Sequence, residues 1–567
     1  MDLHTSSRQL NLSDLPEDIL FDTFSCLKDP PTHLPDWMIP ENGRLRTMQT
    51  LRLVCRRFCE LASHLLLPEL RVSISPESLR SFNQLIRNPQ IAAGVRTLRV
   101  SLAYRPAGIA NSYDRYKDLQ VAMMRDVTAQ CRYHTECVNE TPQHLLKGDE
   151  AELSRVLEIY GFMAWAWMVF RPFPPGFQNG TQQYFGLREA QEKDKRYDAC
   201  QDVLVQSHQE YRRKHDEQKE LLRTGSFVTA LAESISRLPS LSTLTLVDDP
   251  GKTPEGFTRI RENLPVLANS PDTLRELLTS SHRWNVIEED SKDLPHCDIA
   301  AVELLWRIPI ALHAAGAHIA HHLVKVLPIF SNFNNLSPGT TADPWLKDWS
   351  ALTTALQTLG TSHISPGAPG VVRRQHISAQ DQAYLNGYLS ALLSSPNLEH
   401  VSVNLYGLNL NLGLPKDPRY TAEMNNPTGS VLATAVVPKA RKVLLCYITF
   451  TEEELVTFLD GLGQRLEEVD LRTIGVSNGG GWMRALDVLR EKVIGSSKLG
   501  RKPVVRMSGL CGGAFDMLPE TSWDLDDLAA AGSDWGEEPL CDAAVEYVMG
   551  REELNPVAEL EGGIKPG

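Results

Sequence analysis

A short apolar pattern recurs along the chain: a hydrophobic residue, two others, then two hydrophobic residues separated by one. It stands at Leu67/Leu70/Val72, Val95/Leu98/Val100, Leu241/Leu244/Leu246, Leu398/Val401/Val403, Ala440/Val443/Leu445 and Leu466/Val469/Leu471. The alternating end of each copy predicts a strand with one buried face. Helical periodicity lies between the copies, over 76–88, 225–237, 379–394 and 451–462. The last of these opens on Thr451-Glu452-Glu453-Glu454, a capping box in which the Thr hydroxyl and the third Glu satisfy each other's backbone N–H groups. The steps from Leu67 to Val95 and from Ala440 to Leu466 are 28 and 26 residues, the period of strand–helix units that bury their faces by stacking on one another. Other intervals are longer. Residues 112–223 read as helical and charged, and a second irregular block runs from about 249 to 370.

Composition fits an ordinary globular chain, with 42% hydrophobic and 23% charged residues over 567 positions, too long for one simple core. The charge is unevenly placed. From Asp516 onward fourteen acidic residues face only Arg551 and Lys565, so this end carries most of the net charge of -14. The near-neutral remainder lacks the basic footprint that nucleic-acid binding requires, so nucleic acid is not an expected partner. The apolar runs are too short or too interrupted by charge to predict a membrane span. Ten scattered cysteines without paired spacing read as reduced thiols, and the N-terminus has no signal pattern, so an intracellular protein is expected, cytoplasmic or nuclear.

Near the N-terminus the pattern changes. Asn11-Leu12-Ser13-Asp14-Leu15-Pro16-Glu17-Asp18-Ile19-Leu20 predicts a helix start, with Asp14 as cap and Pro16 in the first turn. Leu15, Ile19, Leu20, Phe24 and Leu27 continue it at helical spacing, a breaker-rich stretch follows, and residues 48–61 read as a second helical stretch. Apolar residues surround both helices, more than a unit of this size can bury in its own core, which implies a partner surface. Leu15-Pro16-x-Asp18-Ile19-Leu20 followed by Leu53-Val54-Cys55-Arg56-Arg57-Phe58 resembles the F-box, over about residues 10–70, with Phe58 where that family usually has Trp. The resemblance implies docking to a Skp-type adaptor and through it to cullin and RING subunits, with Leu15, Pro16, Ile19, Leu20, Leu53, Val54, Cys55 and Phe58 as the adaptor-binding residues. An irregular leucine-rich array after an F-box resembles the large F-box families of filamentous fungi, as does the ending 543–556.

The expected fold class is therefore α/β: an N-terminal helical F-box (10–70), then an irregular leucine-rich-repeat-like strand–helix array (71–111 and 225–515). A helical insertion (112–224) interrupts it, and an acidic tail (516–567) ends it. The implied function is the substrate-recognition subunit of an SCF-type ubiquitin ligase, gripping an unidentified protein target through the array. No catalytic residue, metal or cofactor is expected. Two other readings stay open: a non-catalytic repeat scaffold that no longer binds the adaptor, and a serine hydrolase centred on Ser477 in Gly475-Val476-Ser477-Asn478-Gly479. Against the hydrolase, the last histidine is His400, so none follows Ser477 to act as base in that family's order. Cys131, His134, Cys137 and His144 have partial zinc-ligand spacing but no second knuckle. His313, His318, His321 and His322 lack the Glu of a zincin motif and are expected to form a solvated or internally satisfied face. The Trp165-Ala166-Trp167-Met168 cluster is expected in a core.

Overall fold

All six apolar triplets end in strands of one sheet. The computed structural model describes residues 15–28, 41–138, 150–169, 195–248, 271–284, 300–326, 344–365, 379–405, 428–477, 479–500, 503–517, 539–558 and 560. Within these, nine parallel strands pair in chain order: β1 (Glu69–Ser73), β2 (Thr97–Ser101), β3 (Thr243–Val247), β4 (His321–Lys325), β5 (Thr361–Ile364), β6 (His400–Asn404), β7 (Lys442–Phe450), β8 (Glu468–Val476) and β9 (Val504–Ser508). Each strand lies beside the one before it, as expected of a chain that adds one strand–helix unit at a time.

The register explains the spacing. Leu70, Leu98, Leu244, His322, Ser362, Val401, Val443, Val469 and Val505 form one row across the sheet. Two residues on, Val72, Val100, Leu246, Val324, Ile364, Val403, Leu445, Leu471 and Met507 form the next. Most of these side chains join one continuous core with the covering helices. The intervening positions of most strands are half-buried or exposed, so the sheet is covered on one face only. A parallel sheet usually has both faces covered.

Eighteen α-helices lie among the described residues. The N-terminal ones are α1 (Glu17–Lys28), α2 (Glu41–Arg52), α3 (Arg56–Leu66), α4 (Pro76–Leu85) and α5 (Pro89–Gly94). Next come α6 (Ala107–Ala110), α7 (Tyr113–Val138), α8 (Glu150–Val169), α9 (Lys195–Arg223), α10 (Ser226–Ile235) and α11 (Pro271–Leu278). The rest are α12 (Leu304–Ala314), α13 (Pro344–Ala355), α14 (Ala379–Leu392), α15 (Thr428–Thr434), α16 (Glu452–Asp460), α17 (Met483–Lys498) and α18 (Pro539–Val548). Helices α4, α10 and α12 to α18 pack side by side in chain order, forming the layer behind the sheet. The capping box on α16 is present: Thr451 N donates to Glu454 Oε2 at 2.8 Å and Glu454 N to Thr451 Oγ1 at 3.3 Å.

The strands β7, β8 and the residue after β9 share a backbone device. Tyr447 and Thr473 have φ of 58° and 52°, and Gly509, next in that row, has φ of 60°. Left-handed backbone is costly for a Tyr or Thr. Here its repetition in neighbouring units confines the gap in the ladder to one pair, Tyr447 and Thr473, and pairing resumes at Ile448↔Ile474.

Between β2 and β3, helices α7, α8 and α9 build a separate core with α11 around Tyr116, Tyr160, Trp167, Leu204 and Tyr211. Trp167 is fully buried there, and its Nε1 donates to Cys200 O at 2.9 Å. A polar network fixes this bundle to the array. Arg105 Nε and Nη2 both donate to Thr279 O, at 3.0 and 2.8 Å, while Gln218 accepts from Arg105 N and donates to Ala103 O. Burial pushes the Arg105 guanidinium below its ordinary pKa.

Three expectations change. Residues 48–61 are two helices, not one, because the chain turns at Leu53 and Val54 before Cys55 caps α3 through its Sγ, 3.5 Å from Phe58 N. The block 249–370 contains regular strands, β4 and β5, which the apolar pattern missed because His322 and Ser362 occupy inward positions. The end of the chain is more than an acidic tail. Cys541, Ala544, Tyr547, Val548 and Val557 belong to the main core, and Tyr547 Oη donates to Asp487 Oδ1 at 2.6 Å. Asn555 Nδ2 reaches Met483 O and the same Asp487 oxygen, and the Arg490 guanidinium stacks 4.3 Å over the Tyr547 ring. The ending 543–556 thus caps the last unit of the array.

Candidate docking surfaces

The N-terminal module is α1, α2 and α3 around a small core of Leu20, Phe24, Met48, Phe58, Ala62 and Leu65, with the Phe24 and Phe58 rings edge to face at 5.0 Å. Asp14, expected to cap α1, lies outside the described residues, and the first helical hydrogen bond runs from Leu20 N to Pro16 O at 3.0 Å. Arg57, in the first turn of α3, donates through Nη2 to Leu15 O at 2.8 Å. That bond holds the start of α1 against the turn that carries Leu53, Val54 and Cys55, so the two halves of the sequence motif meet.

The eight residues expected at the adaptor surface divide. Leu53 is 86% exposed, Val54 60% and Ile19 46%. Pro16 and Cys55 are also exposed, and Leu15 is half-buried. Leu20 (0%) and Phe58 (5%) are instead enclosed in the module's own core. In the chain alone these two lie beneath the surface formed by the other six, in one cluster with Phe24 and Ala62 that holds the helices together. The module is not a loose bead. Helix α3 packs on α5 so closely that a Cβ on Gly94 would stand 2.0 Å from the His64 carbonyl oxygen.

The second surface is the open face of the sheet. From β4 to β7 its outward positions include His321, Lys325, His363, His400 and Lys442 and no carboxylate. His363 Nδ1 is 2.8 Å from Ser402 Oγ and its Nε2 2.8 Å from Ser365 Oγ; His321 Nδ1 is 2.9 Å from Thr361 Oγ1. Burial, with Lys325 nearby, holds His363 below its ordinary pKa; burial, with Lys442, does the same for His400. Toward β9 charges pair with one another. Glu468 meets Lys442 at 3.5 Å and Arg506 at 2.5 Å, and Asp470 accepts from Arg472 at 2.7 Å. On the rim, Glu399 and Glu467 both engage Arg441. Of these face residues only His321 was singled out from the sequence, as one of a histidine cluster. The signal was available for β6 and β7: the residues alternating with the apolar ones, His400 and Lys442 among them, point away from the helices.

The remaining candidates scatter. His321 faces outward and His322 inward, because they are neighbours on a strand rather than on a helix; His313 and His318 are exposed. Burial lowers the His322 pKa to about 4. Ser477 follows β8 and its Oγ donates to Phe450 O at 3.2 Å; Asn478 lies outside the described residues. Cys131, His134 and Cys137 lie along α7, His144 lies outside the described residues, and no group of three or more potential metal ligands occurs among those described. No helix among the described residues is long and apolar enough to cross a membrane. Searched against protein families, curated proteins and solved structures, the chain finds no match in any of the three.

Proposed function

We propose that the protein is a substrate receptor of an SCF-type ubiquitin ligase: residues 15–66 act as an F-box that grips a Skp-type adaptor, and the strand–helix array, read as leucine-rich-repeat-like, grips a protein target. The observation that carries this reading is the exposure of Ile19, Leu53 and Val54 on a small three-helix module whose core is already complete. Exposed aliphatic side chains clustered at two motif segments, which Arg57 ties together, favour a partner surface over chance exposure. The chemistry is positional. A receptor fixed by both ends raises the effective concentration of target lysines near a ubiquitin-charged enzyme. The close fit of α3 on α5 supports this, since a rigid junction sets the distance between adaptor and target.

The test is co-purification with a Skp-type adaptor. The parent chain is expected to bind, and Leu53→Asp with Val54→Asp to lose binding while keeping the parent's melting temperature. Leu15→Ala with Pro16→Ala should weaken it too, since a lost Leu contact costs about 2–5 kcal/mol. The burial of Leu20 and Phe58 favours a second reading, a repeat scaffold without an adaptor; a folded parent chain that captures no adaptor in mild salt would establish that reading instead.

A further inference from the structure

A cavity of about 170 Å³ lies where the helical insertion meets the array, between the residues that follow β2 and the C-terminal half of α9. Tyr104 and Arg105 line it from the array, and His215, Gln218 and Leu222 from the helix. Positions 215, 218 and 222 are three and four apart, so they share one face of α9. Tyr104, His215 and Gln218 are buried, which gives the cavity a formed floor.

Most polar groups of that floor are already engaged. Gln218 accepts from Arg105 N at 2.9 Å and donates to Ala103 O at 3.0 Å, while the Arg105 guanidinium is committed to Thr279 O. His215 is the exception. Its Nδ1 lies 2.6 Å from Arg105 O, and a carbonyl oxygen can only accept, so Nδ1 carries the proton. The neutral ring then offers Nε2 as an acceptor, and this nitrogen has no hydrogen-bond partner among the described residues. The basic residues at the mouth do not select an ion. Arg223 closes its fork on Glu220 at 2.8 and 2.6 Å, so it adds an apolar stem and no net charge, and Lys219 is exposed to water.

We infer that this cavity binds one phenolic ring, its hydroxyl donating to His215 Nε2 and its ring packing on Tyr104 and Leu222. Size sets the scale of the ligand: a cavity of about 150 Å³ takes a benzene ring. The Tyr104 ring favours an aromatic partner over an aliphatic one of equal size. A lone acceptor in the floor calls for a donor, which a phenol supplies and an ionised carboxylate lacks. Two sources share this chemistry, a free phenol and the Tyr side chain of a partner protein. A ring seated here touches both α9 and the segment after β2, so it ties the insertion to the array. The inference stands independently of the receptor reading.

The experiment is saturation-transfer difference NMR on the full chain at pH 8 with 4-methylphenol, toluene and 4-methylbenzoate. Saturable binding of 4-methylphenol is expected, with toluene weaker by about fivefold or more for want of the one hydrogen bond. Leu222→Trp, which fills the space, should abolish the signal. His215→Gln can still donate to the Arg105 carbonyl but offers no imidazole nitrogen; it should weaken 4-methylphenol about fivefold and leave toluene unchanged, and it decides the matter if Leu222→Trp lowers the melting temperature. Displacement of 4-methylphenol by a short peptide with a central Tyr would assign the site to a partner's side chain; binding without displacement would assign it to a free phenol. Toluene binding as tightly as 4-methylphenol, tighter binding of 4-methylbenzoate, or equal weakening of phenol and toluene by His215→Gln would overturn the assignment.

Discussion

His322 carries an imidazole where seven of the nine residues in its row carry Val or Leu. Ser362 beside it is also buried, so β4 and β5 place polar groups against the helix layer. Burial holds the His322 pKa near 4 against an ordinary value of 6.5, and His282, buried against Tyr211, falls to about 3, through burial first and Arg105 second. Both shifts are downward, so the unfolded chain takes up protons that the folded chain refuses. Stability is therefore full above pH 6.5 and is lost as pH falls toward 4, by about 3 kcal/mol for His322 alone. Denaturant titrations at pH 7.5 and pH 5 should show about 2 kcal/mol of it. In His322→Leu the proton uptake on unfolding near pH 5 should drop by about one; an unchanged slope would mean that the ring is charged in place.

At the scale of elements, the junction between α3 and α5 decides whether the N-terminal module is a rigid extension or a hinged appendage. Gly94 ends α5, and His64 approaches it through its backbone, which no rotamer change can move aside. Gly94→Ala is expected to force the two helices apart at a cost of about 1–3 kcal/mol or more. Limited proteolysis should then cleave near residues 67–75 in the variant and spare the parent. Adaptor capture should survive, because the exposed residues at the start of α1 and in the turn before α3 are untouched, whereas ubiquitin transfer to a bound target should fall as the geometry loosens. The motif halves at Leu15-Pro16 and Leu53-Val54-Cys55 were readable because they are contiguous segments. The burial of Leu20 and Phe58 was not readable, since which side of a short helix faces inward depends on two other helices.

For the whole molecule, an open stack of parallel strands leaves apolar surface at each end. The C-terminal end is closed by α18 and the residues up to Val557, which insert into the core beside α17. Removing 539–567 would uncover the face of α17 that carries Asp487 and Arg490 and return Cys541, Ala544, Tyr547, Val548 and Val557 to water, a buried Val alone being worth about 1.5–3 kcal/mol before chain entropy is counted. The truncated protein is expected to melt several degrees lower and to aggregate. Tyr547→Phe, which removes the hydroxyl that meets Asp487 and Asn555, should cost about 1–2 kcal/mol. Equal melting of the truncated and full chains would show that the cap contributes nothing.

Six strand positions, the capping box at Thr451 and the charge concentrated after Asp516 could be read from the chain alone, because alternation, helix-start chemistry and charge are local properties. Beyond reach were β4, β5 and β9, where polar inward residues or a single short apolar pair break the pattern, and the cap formed by the last helix. Also beyond reach was the row of histidines and lysines on the open face, assembled from strands as far apart in sequence as His321 and Lys442. Tertiary structure decided these because burial belongs to a residue's neighbours: the same imidazole is solvated at His321 and enclosed one position later at His322.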